Sequence, residues 1–216
     1  MSAVVALPAG VVYTDGAPLP ATPRAALLLD RDGTLVREVN YLHKLEDLRL
    51  QAGAVALVKA ANEAGVAVAA VSNQSGIDRG MFGWDAYQTI EREMRRRLAA
   101  RGAALNASIA NGFHPEHTRG WDDRHAQWRK PGPRMLQLVV ERLGVRPRRT
   151  WMVGDMASDA QAAKAAGLAG AVHLLTGHGV HQRRDAAALA SPDFPVLVAR
   201  SLGDARELLA EQGLFG

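Results

Sequence analysis

The chain has no cysteine among its 216 residues, and only 5% of its residues are aromatic. The missing cysteines exclude disulfide bonds, thiolate metal sites and a thiol nucleophile. No apolar run reaches the roughly 18 residues that predict a membrane-spanning helix. Residues 1–20 begin without basic residues and are interrupted by Pro8 and Gly10, so they are unlike a signal peptide. We therefore expect a cytoplasmic protein with no membrane partner.

Lysine is also scarce: the chain has four lysines, and arginine supplies most of the basic charge behind its net charge of +4. A basic chain can bind nucleic acids or small anions. The arginines are scattered, however, and those of segment 92–101 lie beside Glu91 and Glu93, which is typical of a solvated helix. We expect no nucleic-acid partner, and small anions remain the candidates.

Short apolar runs alternate with longer segments of helical periodicity. Continuous hydrophobicity is typical of strands buried on both faces of a parallel sheet, and several of the helical segments end at glycine, the residue favoured after a helix. The alternation predicts an α/β three-layer sandwich with a mainly parallel sheet. The predicted strands are Ala25–Leu29, Val66–Val71, a run around Ile109, Thr150–Val153, Ala171–Leu175 and Pro195–Val198, and the predicted helices are Ala54–Ala64, Trp84–Arg101, Pro133–Leu143, Asp159–Ala166 and Leu202–Gln212.

A length of 216 residues is enough for one well-formed core. We predict one catalytic domain over residues 25–216, preceded by an N-terminal extension, residues 1–24, which could cover a sheet edge, pair with another chain or be loose. The segments between the early strands are only helix-sized, so we expect no cap domain. The longest irregular stretch, residues 111–132, is predicted to shape the pocket as a loop.

Polar residues follow the predicted strands, and ligands of such sheets bind beyond the carboxyl ends of the strands. Asp30 can attack phosphorus as a nucleophile, and Asp32 can protonate the leaving alcohol and later deprotonate water. Ser72 can donate a hydrogen bond to a phosphoryl oxygen, and Lys130 can offset the charge that builds up there. Together they predict a phosphomonoester hydrolase with a phospho-aspartyl intermediate.

Carboxylates that face a phosphate dianion would repel it unless a hard cation is present. Mg²⁺ prefers oxygen ligands and retains several waters. We predict its ligands as Asp30, Asp32, Asp155 and Asp159, the last directly or through water. Each motif alone is common, but their conjunction in this order is specific.

The segments DRDGT (30–34), SNQSG (72–76), RKP (129–131) and GDMASD (154–159) resemble the four motifs of the haloacid dehalogenase (HAD) superfamily. The likeness favours the branch of D-glycero-D-manno-heptose-1,7-bisphosphate 7-phosphatases and histidinol-phosphatases. It implies a Rossmann-like HAD fold that is capless or has a minimal loop cap, Mg²⁺ as cofactor, a small phosphorylated metabolite as partner, and a monomer or weak dimer. The substrate contacts it implies are Glu38, Val39, Asn40, Tyr41, Asn73, Gln74, Ser75, Arg79 and Arg129.

The chain departs from that branch at its structural zinc site. The branch often holds zinc with three cysteines and one histidine, and the matching residues here are Asn111, Phe113, Ala126 and Trp128. None of them is a good zinc ligand. We expect no zinc, and a loop held together by packing of Phe113, Trp121 and Trp128.

Two smaller points concern charge and metal binding. Met156 stands where the branch commonly has lysine, which removes a positive charge near the predicted metal. His114, His117 and His125 could form another metal site, although imidazoles at flexible spacing are a weak signal.

Alternatives to a sugar bisphosphatase remain open. Histidinol phosphate or another small metabolite would require the same chemistry. A nucleic-acid 3′-phosphatase would fit the basic charge, but basic and aromatic residues are not interleaved as in single-strand binders. A non-catalytic phosphate-binding regulator would not require the complete set of reactive residues that is present.

Overall fold

The computed structural model describes residues 7–21, 23 and 25–216. These residues form one seven-stranded sheet with the strand order β1-β4-β3-β2-β5-β6-β7. Strands β2 to β7 run parallel, and β1 lies antiparallel to β4 at the edge. The strands are β1 (Val11–Asp15), β2 (Ala26–Leu29), β3 (Ala67–Asn73), β4 (Ala107–Asn111), β5 (Thr150–Gly154), β6 (Gly170–Leu174) and β7 (Val196–Ala199), and the helices are α1 (Ala54–Glu63), α2 (Trp84–Ala99), α3 (Asp123–Trp128), α4 (Arg134–Leu143), α5 (Ala157–Ala165), α6 (Gly179–Ala187) and α7 (Leu202–Glu211).

Helices cover both faces of the sheet. Leu27 and Leu29 of β2 point into a cluster with α1, α2 and α7, whereas Ala26 and Leu28 point into a cluster with α4 and α5. All four β2 residues are buried, because a central parallel strand is covered on both sides. The predicted three-layer α/β sandwich with a mainly parallel sheet is confirmed.

The predicted strands and helices are present, with ends that shift by at most two residues. Shifts of two residues occur at the end of β3, at the end of α2 and at the start of α5, which begins at Ala157 instead of Asp159. The reason is that a carboxylate oxygen of Asp159 accepts the backbone N–H of Met156 at 3.0 Å. Asp159 therefore closes the first turn of the helix rather than preceding it.

Three elements, β1, α3 and α6, were not predicted. Strand β1 pairs with β4, Val11 opposite Asn111 and Asp15 opposite Ala107, so this part of the N-terminal extension covers a sheet edge. Helix α3 is capped at its N-terminus by Asp122, whose side chain accepts two backbone N–H groups. The prediction of one irregular loop over residues 111–132 is therefore wrong in part. Residues 1–6, 22 and 24 of the extension lie outside the described residues.

The central strands bring one edge of the sheet together. Strand β2 pairs with β3 on one side and with β5 on the other, so their carboxyl ends meet. Between β2 and β4 the chain forms a short 3-10 helix (Leu45–Asp47), α1, β3, α2 and their connections, and within the described residues no inserted domain covers this edge. Among all the residues that the structure describes, none of the helices is long and apolar enough to cross a membrane.

Candidate active site

A cavity of about 380 Å³ opens at the carboxyl ends of β2, β3 and β5. All four predicted catalytic residues line it, as do the two further predicted metal ligands. The lining residues are Asp30, Arg31, Asp32, Glu38, Asn40, Tyr41, Ser72, Asn73, Gln74, Ser75, Gly76, Lys130, Asp155, Met156, Ser158, Asp159 and His178.

Asp30 lies at the tip of β2 and is 6% exposed. Its backbone N–H still donates to Val153 of β5 at 2.9 Å, so the sheet fixes its position. One carboxylate oxygen accepts the backbone N–H of Arg31 and the ammonium of Lys130, each at 2.8 Å. Burial raises the pKa of Asp30, and Lys130 opposes that rise. A second cation beside Asp30 would favour the ionised form that a nucleophile needs.

The ammonium of Lys130 is buried among three oxygen acceptors. Besides Asp30 it donates to the carbonyl oxygen of Val71 at 2.8 Å, and it lies 2.6 Å from a carboxylate oxygen of Asp159. Burial disfavours the charged ammonium, but Asp159 and Asp30 outweigh it and raise the pKa of Lys130. Lys130 is therefore a fixed positive charge directly beside the predicted nucleophile.

Three carboxylates can share a cation. Asp30, Asp155 and Asp159 offer ligand oxygens within 4.8 Å of one another. One oxygen of Asp155 is buried without a hydrogen-bond partner, and the other accepts the backbone N–H of His178 at 2.7 Å. Burial, with a contribution from Asp159, raises the pKa of Asp155 to about 6. An all-oxygen, electron-rich group with an unsatisfied oxygen fits Mg²⁺.

Two glycines make room for Asp155. Gly33 has φ +78° and Gly177 has φ +49°, and a β-carbon at either position would collide with the Asp155 carboxylate. Only glycine combines such a backbone with so close an approach. The Asp30-Asp155-Asp159 group therefore depends on the turn after β2 and on the turn after β6.

Asp32 is not part of this carboxylate group, because its side chain faces another way. The guanidinium of Arg31 grips both carboxylate oxygens at 2.9–3.2 Å. The amide of Gln74 donates to Asp32 at 2.8 Å and to the hydroxyl of Ser72 at 2.7 Å. Asp32 and Ser72 thus reach the cavity as members of one hydrogen-bonded set, whereas a metal contact from the Asp32 side chain would break that set.

The predicted substrate residues divide into two groups. Glu38, Asn40, Tyr41, Asn73, Gln74 and Ser75 line the cavity. Val39 is exposed, and neither Arg79 nor Arg129 belongs to the cavity wall. Arg129 donates to the carbonyl oxygen of Phe113 at 2.8 Å, and Arg79 lies 2.7 Å from a ring nitrogen of His114.

Lys130 comes from a loop but is tied to the sheet by asparagines. The side chain of Asn73, the last residue of β3, donates to the carbonyl oxygen of Lys130 at 2.9 Å and accepts its N–H at 3.0 Å. Asn111, the last residue of β4, donates to Asn73 at 2.7 Å. Lys130 is thus held directly by the end of β3, which the end of β4 holds in turn.

Known proteins share these features. A family model described as HAD-hydrolase-like matches residues 127–205. A D-glycero-beta-D-manno-heptose-1,7-bisphosphate 7-phosphatase of Rhodopseudomonas palustris is 37% identical over 153 residues, which are 69% of this chain and 83% of that protein. The chain belongs to the HAD superfamily. A protein of the same name from Escherichia coli is 31% identical over 163 residues, 76% of this chain and 85% of that protein.

Solved HAD structures agree in fold. A protein described as a had-like phosphatase from Mesorhizobium loti matches with a TM-score of 0.81 at 30% identity, covering 96% of this chain and 95% of that one. A D,D-heptose 1,7-bisphosphate phosphatase from B. bronchiseptica, complexed with magnesium and phosphate, matches with a TM-score of 0.74 at 26% identity, covering 87% of this chain and 99% of that one. The resemblance to this branch of the HAD superfamily is therefore confirmed.

Aromatic rings fill the loop in which the sequence lacks the zinc ligands. Phe113 and Trp128 are buried in one cluster, and Trp121 packs against it, so the predicted packing of these three residues is confirmed. His125 lies edge-on to Phe113 at 4.8 Å and stacks on Trp121 at 5.9 Å. Its ring nitrogen is 2.7 Å from a carboxylate oxygen of Asp122, which keeps His125 apart from the other loop histidines.

A group of His114, Glu116 and His117 has ligand atoms within 4.8 Å of one another. One ring nitrogen of His114 faces the guanidinium of Arg79, and the other faces the N–H of Glu116 at 3.2 Å. Burial, then Arg79 and Arg129, lower the pKa of His114. The structure thus brings His114 and His117 together with Glu116, whereas His125, the third histidine of the possible site, is bound to Asp122 instead.

The sequence did not single out several residues that line the cavity. Arg31 lies between the two motif aspartates, and Ser158 is in the first turn of α5. His178, in contrast, follows β6, and its place beyond a strand end does identify it from the sequence as a residue that could reach the cavity. Met156, where the family commonly has lysine, lines the cavity with an uncharged side chain.

Proposed function

We propose that the chain is a Mg²⁺-dependent phosphatase that transfers phosphate from a sugar bisphosphate, such as D-glycero-D-manno-heptose 1,7-bisphosphate, to Asp30 and then to water. The observation that supports it best is the buried Asp30 carboxylate, held 2.8 Å from the ammonium of Lys130 beside two further carboxylates that can hold a cation. When bound, Mg²⁺ would supply positive charge for the phosphoryl oxygens and for Asp30.

In the first step a carboxylate oxygen of Asp30 attacks phosphorus and the ester P–O bond breaks. The electron pair passes to the leaving oxygen, which takes a proton from Asp32. Lys130 and the hydroxyl of Ser72 face the phosphoryl oxygens from positions fixed by the sheet, so their stabilisation needs no reorganisation.

In the second step water attacks the phosphorus of the phospho-aspartyl group. Asp32 takes the proton from that water, the bond between phosphorus and Asp30 breaks, and the electron pair returns to the Asp30 carboxylate. Inorganic phosphate leaves, and Asp32 is protonated again for the next turnover.

A cationic region beyond the cavity wall supports a substrate with two phosphates. Burial, followed by the nearby Arg79, lowers the pKa of Arg129, and Tyr41 opposes that shift. Tyr41 itself lines the cavity. Two guanidinium groups close to each other and to the cavity can take a second phosphate, which arginine binds through parallel hydrogen bonds.

The relatives' names point to the same substrate class in both anomeric forms. The protein from Rhodopseudomonas palustris carries the beta-heptose name. A protein of Photorhabdus laumondii, 28% identical over 168 residues, 78% of this chain and 92% of that protein, carries the alpha-heptose name. We propose a heptose bisphosphate as substrate and do not assign the anomer.

The first experiment is a phosphate-release assay on wild type and Asp30→Asn. Substrates would be both anomers of the heptose bisphosphate, other sugar bisphosphates, sugar monophosphates, histidinol phosphate and a 3′-phosphorylated oligonucleotide. We expect the heptose bisphosphate to have the highest kcat/KM. Asp30→Asn should lose at least a factor of about 10³ while remaining folded, because the nucleophile is gone. The matched control, Asp193→Asn at an exposed position, should retain wild-type activity.

Other outcomes decide among the alternatives. A preference for histidinol phosphate would keep the chemistry and replace the substrate, and a preference for the oligonucleotide would make this a nucleic-acid 3′-phosphatase. No turnover of any phosphate ester by wild type would favour a non-catalytic phosphate-binding protein. Substantial activity of Asp30→Asn would refute the phospho-aspartyl mechanism.

Cytoplasmic location, a monomeric or weakly dimeric state and the division at residue 24 remain proposals. The strand β1, inside the proposed extension, belongs to the same sheet as the site. We therefore propose that this strand folds together with the catalytic domain.

A further inference from the structure

Arg31 is the residue between the two motif aspartates, and it is almost completely buried. It is 1% exposed, although an unpaired guanidinium is among the most costly groups to bury. Two of its nitrogens, Nε and Nη2, face the carboxylate of Asp32, and Nη2 lies 2.9 Å from the nearer oxygen. A planar guanidinium that grips both oxygens fixes the orientation of a carboxylate as well as its position.

The surroundings hold the guanidinium itself in place. Its Nη2 also donates to the side-chain oxygen of Gln74 at 2.9 Å. The ring of Tyr87, from α2, lies against it with 5.3 Å between the guanidinium carbon and the ring centroid. Tyr87 is 2% exposed, so Arg31 is confined between a buried ring and two polar side chains.

Gln74 completes the arrangement around Asp32. Its amide nitrogen donates to Asp32 at 2.8 Å and to Ser72 at 2.7 Å, while its oxygen accepts from Arg31. Both polar atoms of the Gln74 side-chain amide are therefore bound to Asp32, Ser72 or Arg31. The set joins the predicted acid–base residue to the predicted phosphate clamp.

We propose that Arg31 is a positioning residue that holds the Asp32 carboxylate in the orientation from which it exchanges protons with the leaving group and with water. The inference rests on the proposed phosphatase function and deepens it. The guanidinium of Arg31 contacts Asp32, Gln74 and Tyr87, and we propose that it acts through Asp32. The competing role is purely structural: a buried charge that merely completes the packing of β2 against α2.

The two roles differ in how the effect of a substitution depends on the leaving group. A sugar alkoxide needs a proton as it leaves, whereas the nitrophenolate of p-nitrophenyl phosphate is stable without one. Loss of correct Asp32 positioning should therefore slow the first step far more with the sugar phosphate than with the aryl phosphate. A general loss of structure would slow both substrates alike.

The experiment compares Arg31→Met, Arg31→Lys, Asp32→Asn and the double variant Arg31→Met/Asp32→Asn on the best sugar phosphate and on p-nitrophenyl phosphate. We expect Arg31→Met to lower kcat/KM, which depends on the first step alone, roughly tenfold to a hundredfold on the sugar phosphate and less than about threefold on the aryl phosphate, whereas the later attack of water is common to both substrates. The double variant should be no slower than Asp32→Asn within about twofold, because Arg31 has no role left once Asp32 cannot transfer protons.

Arg31→Lys guards against a folding defect. Lysine keeps the charge but cannot grip both oxygens, so the same selectivity for the sugar phosphate is expected with a smaller loss. The matched control is Arg95→Met, which removes another largely buried arginine, paired with Glu91 at 2.9 Å, and should lower both substrates equally if at all.

Three results would overturn the positioning role. The Arg31 variants could lose equal activity on both substrates, Arg31→Lys could keep full wild-type activity, or the losses of the two single variants could multiply in the double variant. These results are distinguishable from failure of the proposed function. In that case wild type would release no phosphate, and Asp30→Asn would not differ from it.

Discussion

At the scale of single residues, Asp155 combines burial with an unsatisfied oxygen. One oxygen is bound by the N–H of His178, and the other is buried without a partner. Burial raises its pKa from 3.8 to about 6, which means that the metal-free fold holds this proton more tightly than the unfolded chain does. A cation such as Mg²⁺ must compete with that proton.

The stability of the protein should therefore respond to Mg²⁺ in a pH-dependent way. A raised acid pKa contributes stability that is fully present below pH 3.8 and is lost as the pH rises to about 6. Mg²⁺ binds the deprotonated carboxylates, so it should raise Tm little at about pH 5 and substantially at about pH 7. Thermal unfolding with and without Mg²⁺ measures this difference.

Asp155→Asn is the control for that experiment, because its amide neither titrates nor carries the charge that Mg²⁺ requires. Its Tm should show little Mg²⁺ response at either pH. A wild-type Tm shift that does not change between these two conditions would contradict the assignment of Asp155 as a ligand that must lose a proton.

At the scale of elements, α3 shows how a short helix organises a loop through capping and aromatic packing. Asp122 caps the helix and also binds His125, whose ring lies between Phe113 and Trp121. Phe113 in turn accepts the guanidinium of Arg129 on its carbonyl oxygen. The loop thereby places a predicted substrate contact through packing and capping.

We predict that this loop needs no zinc. Metal analysis of the purified protein should show no stoichiometric zinc, and a zinc-selective chelator should leave Mg²⁺-dependent activity unchanged. One tight zinc per chain would refute this prediction.

His125→Ala tests the packing directly. Loss of the ring and of its contact with Asp122 should lower the free energy of unfolding by about 1–2 kcal/mol and raise KM more than it lowers kcat, because Arg129 is less well held. His181→Ala, at an exposed position, is the control and should change neither quantity. An unchanged KM in a destabilised His125→Ala would separate the loop from substrate binding.

At the scale of the whole molecule, β1 completes the sheet. Its antiparallel pairing covers the edge of β4, which would otherwise present unpaired backbone groups to other chains. Val11 is 6% exposed and belongs to the core cluster that contains Phe113. The N-terminal strand therefore stabilises the edge of the sheet.

Val11→Asp should destabilise this edge. A buried, unpaired carboxylate costs about 3 kcal/mol or more, which corresponds to a fall in Tm of roughly 6–12 °C for a protein of this size. The same substitution at Val180, which is 64% exposed, is the control. Well below the Tm, kcat of Val11→Asp should equal that of wild type, and a large loss of kcat would show that β1 also affects the site.

The success of the sequence predictions follows from which interactions are local. Continuous apolar runs identified β2 to β7, and the polar residues after them identified Asp30, Ser72 and Asp155, because strand ends converge in any parallel sheet. The strand β1 could not be predicted, since its five residues, one buried, three half-buried and one exposed, follow Pro8 and Gly10 and pair with β4, which is distant in sequence. The orientation of Asp32 was equally hidden, because it depends on Tyr87 and Gln74, which are distant in sequence.

The asparagine clamp fixes the position of Lys130 separately from the loop that precedes it. Asn73 holds both backbone groups of Lys130 and is itself held by Asn111. The position of Lys130 therefore depends on these strand ends more than on the packing of residues 112–128. Changes in the packing or length of this loop should therefore leave the ammonium of Lys130 beside Asp30. The same segment is accordingly the place at which new substrate preferences can be introduced while the reacting groups stay untouched.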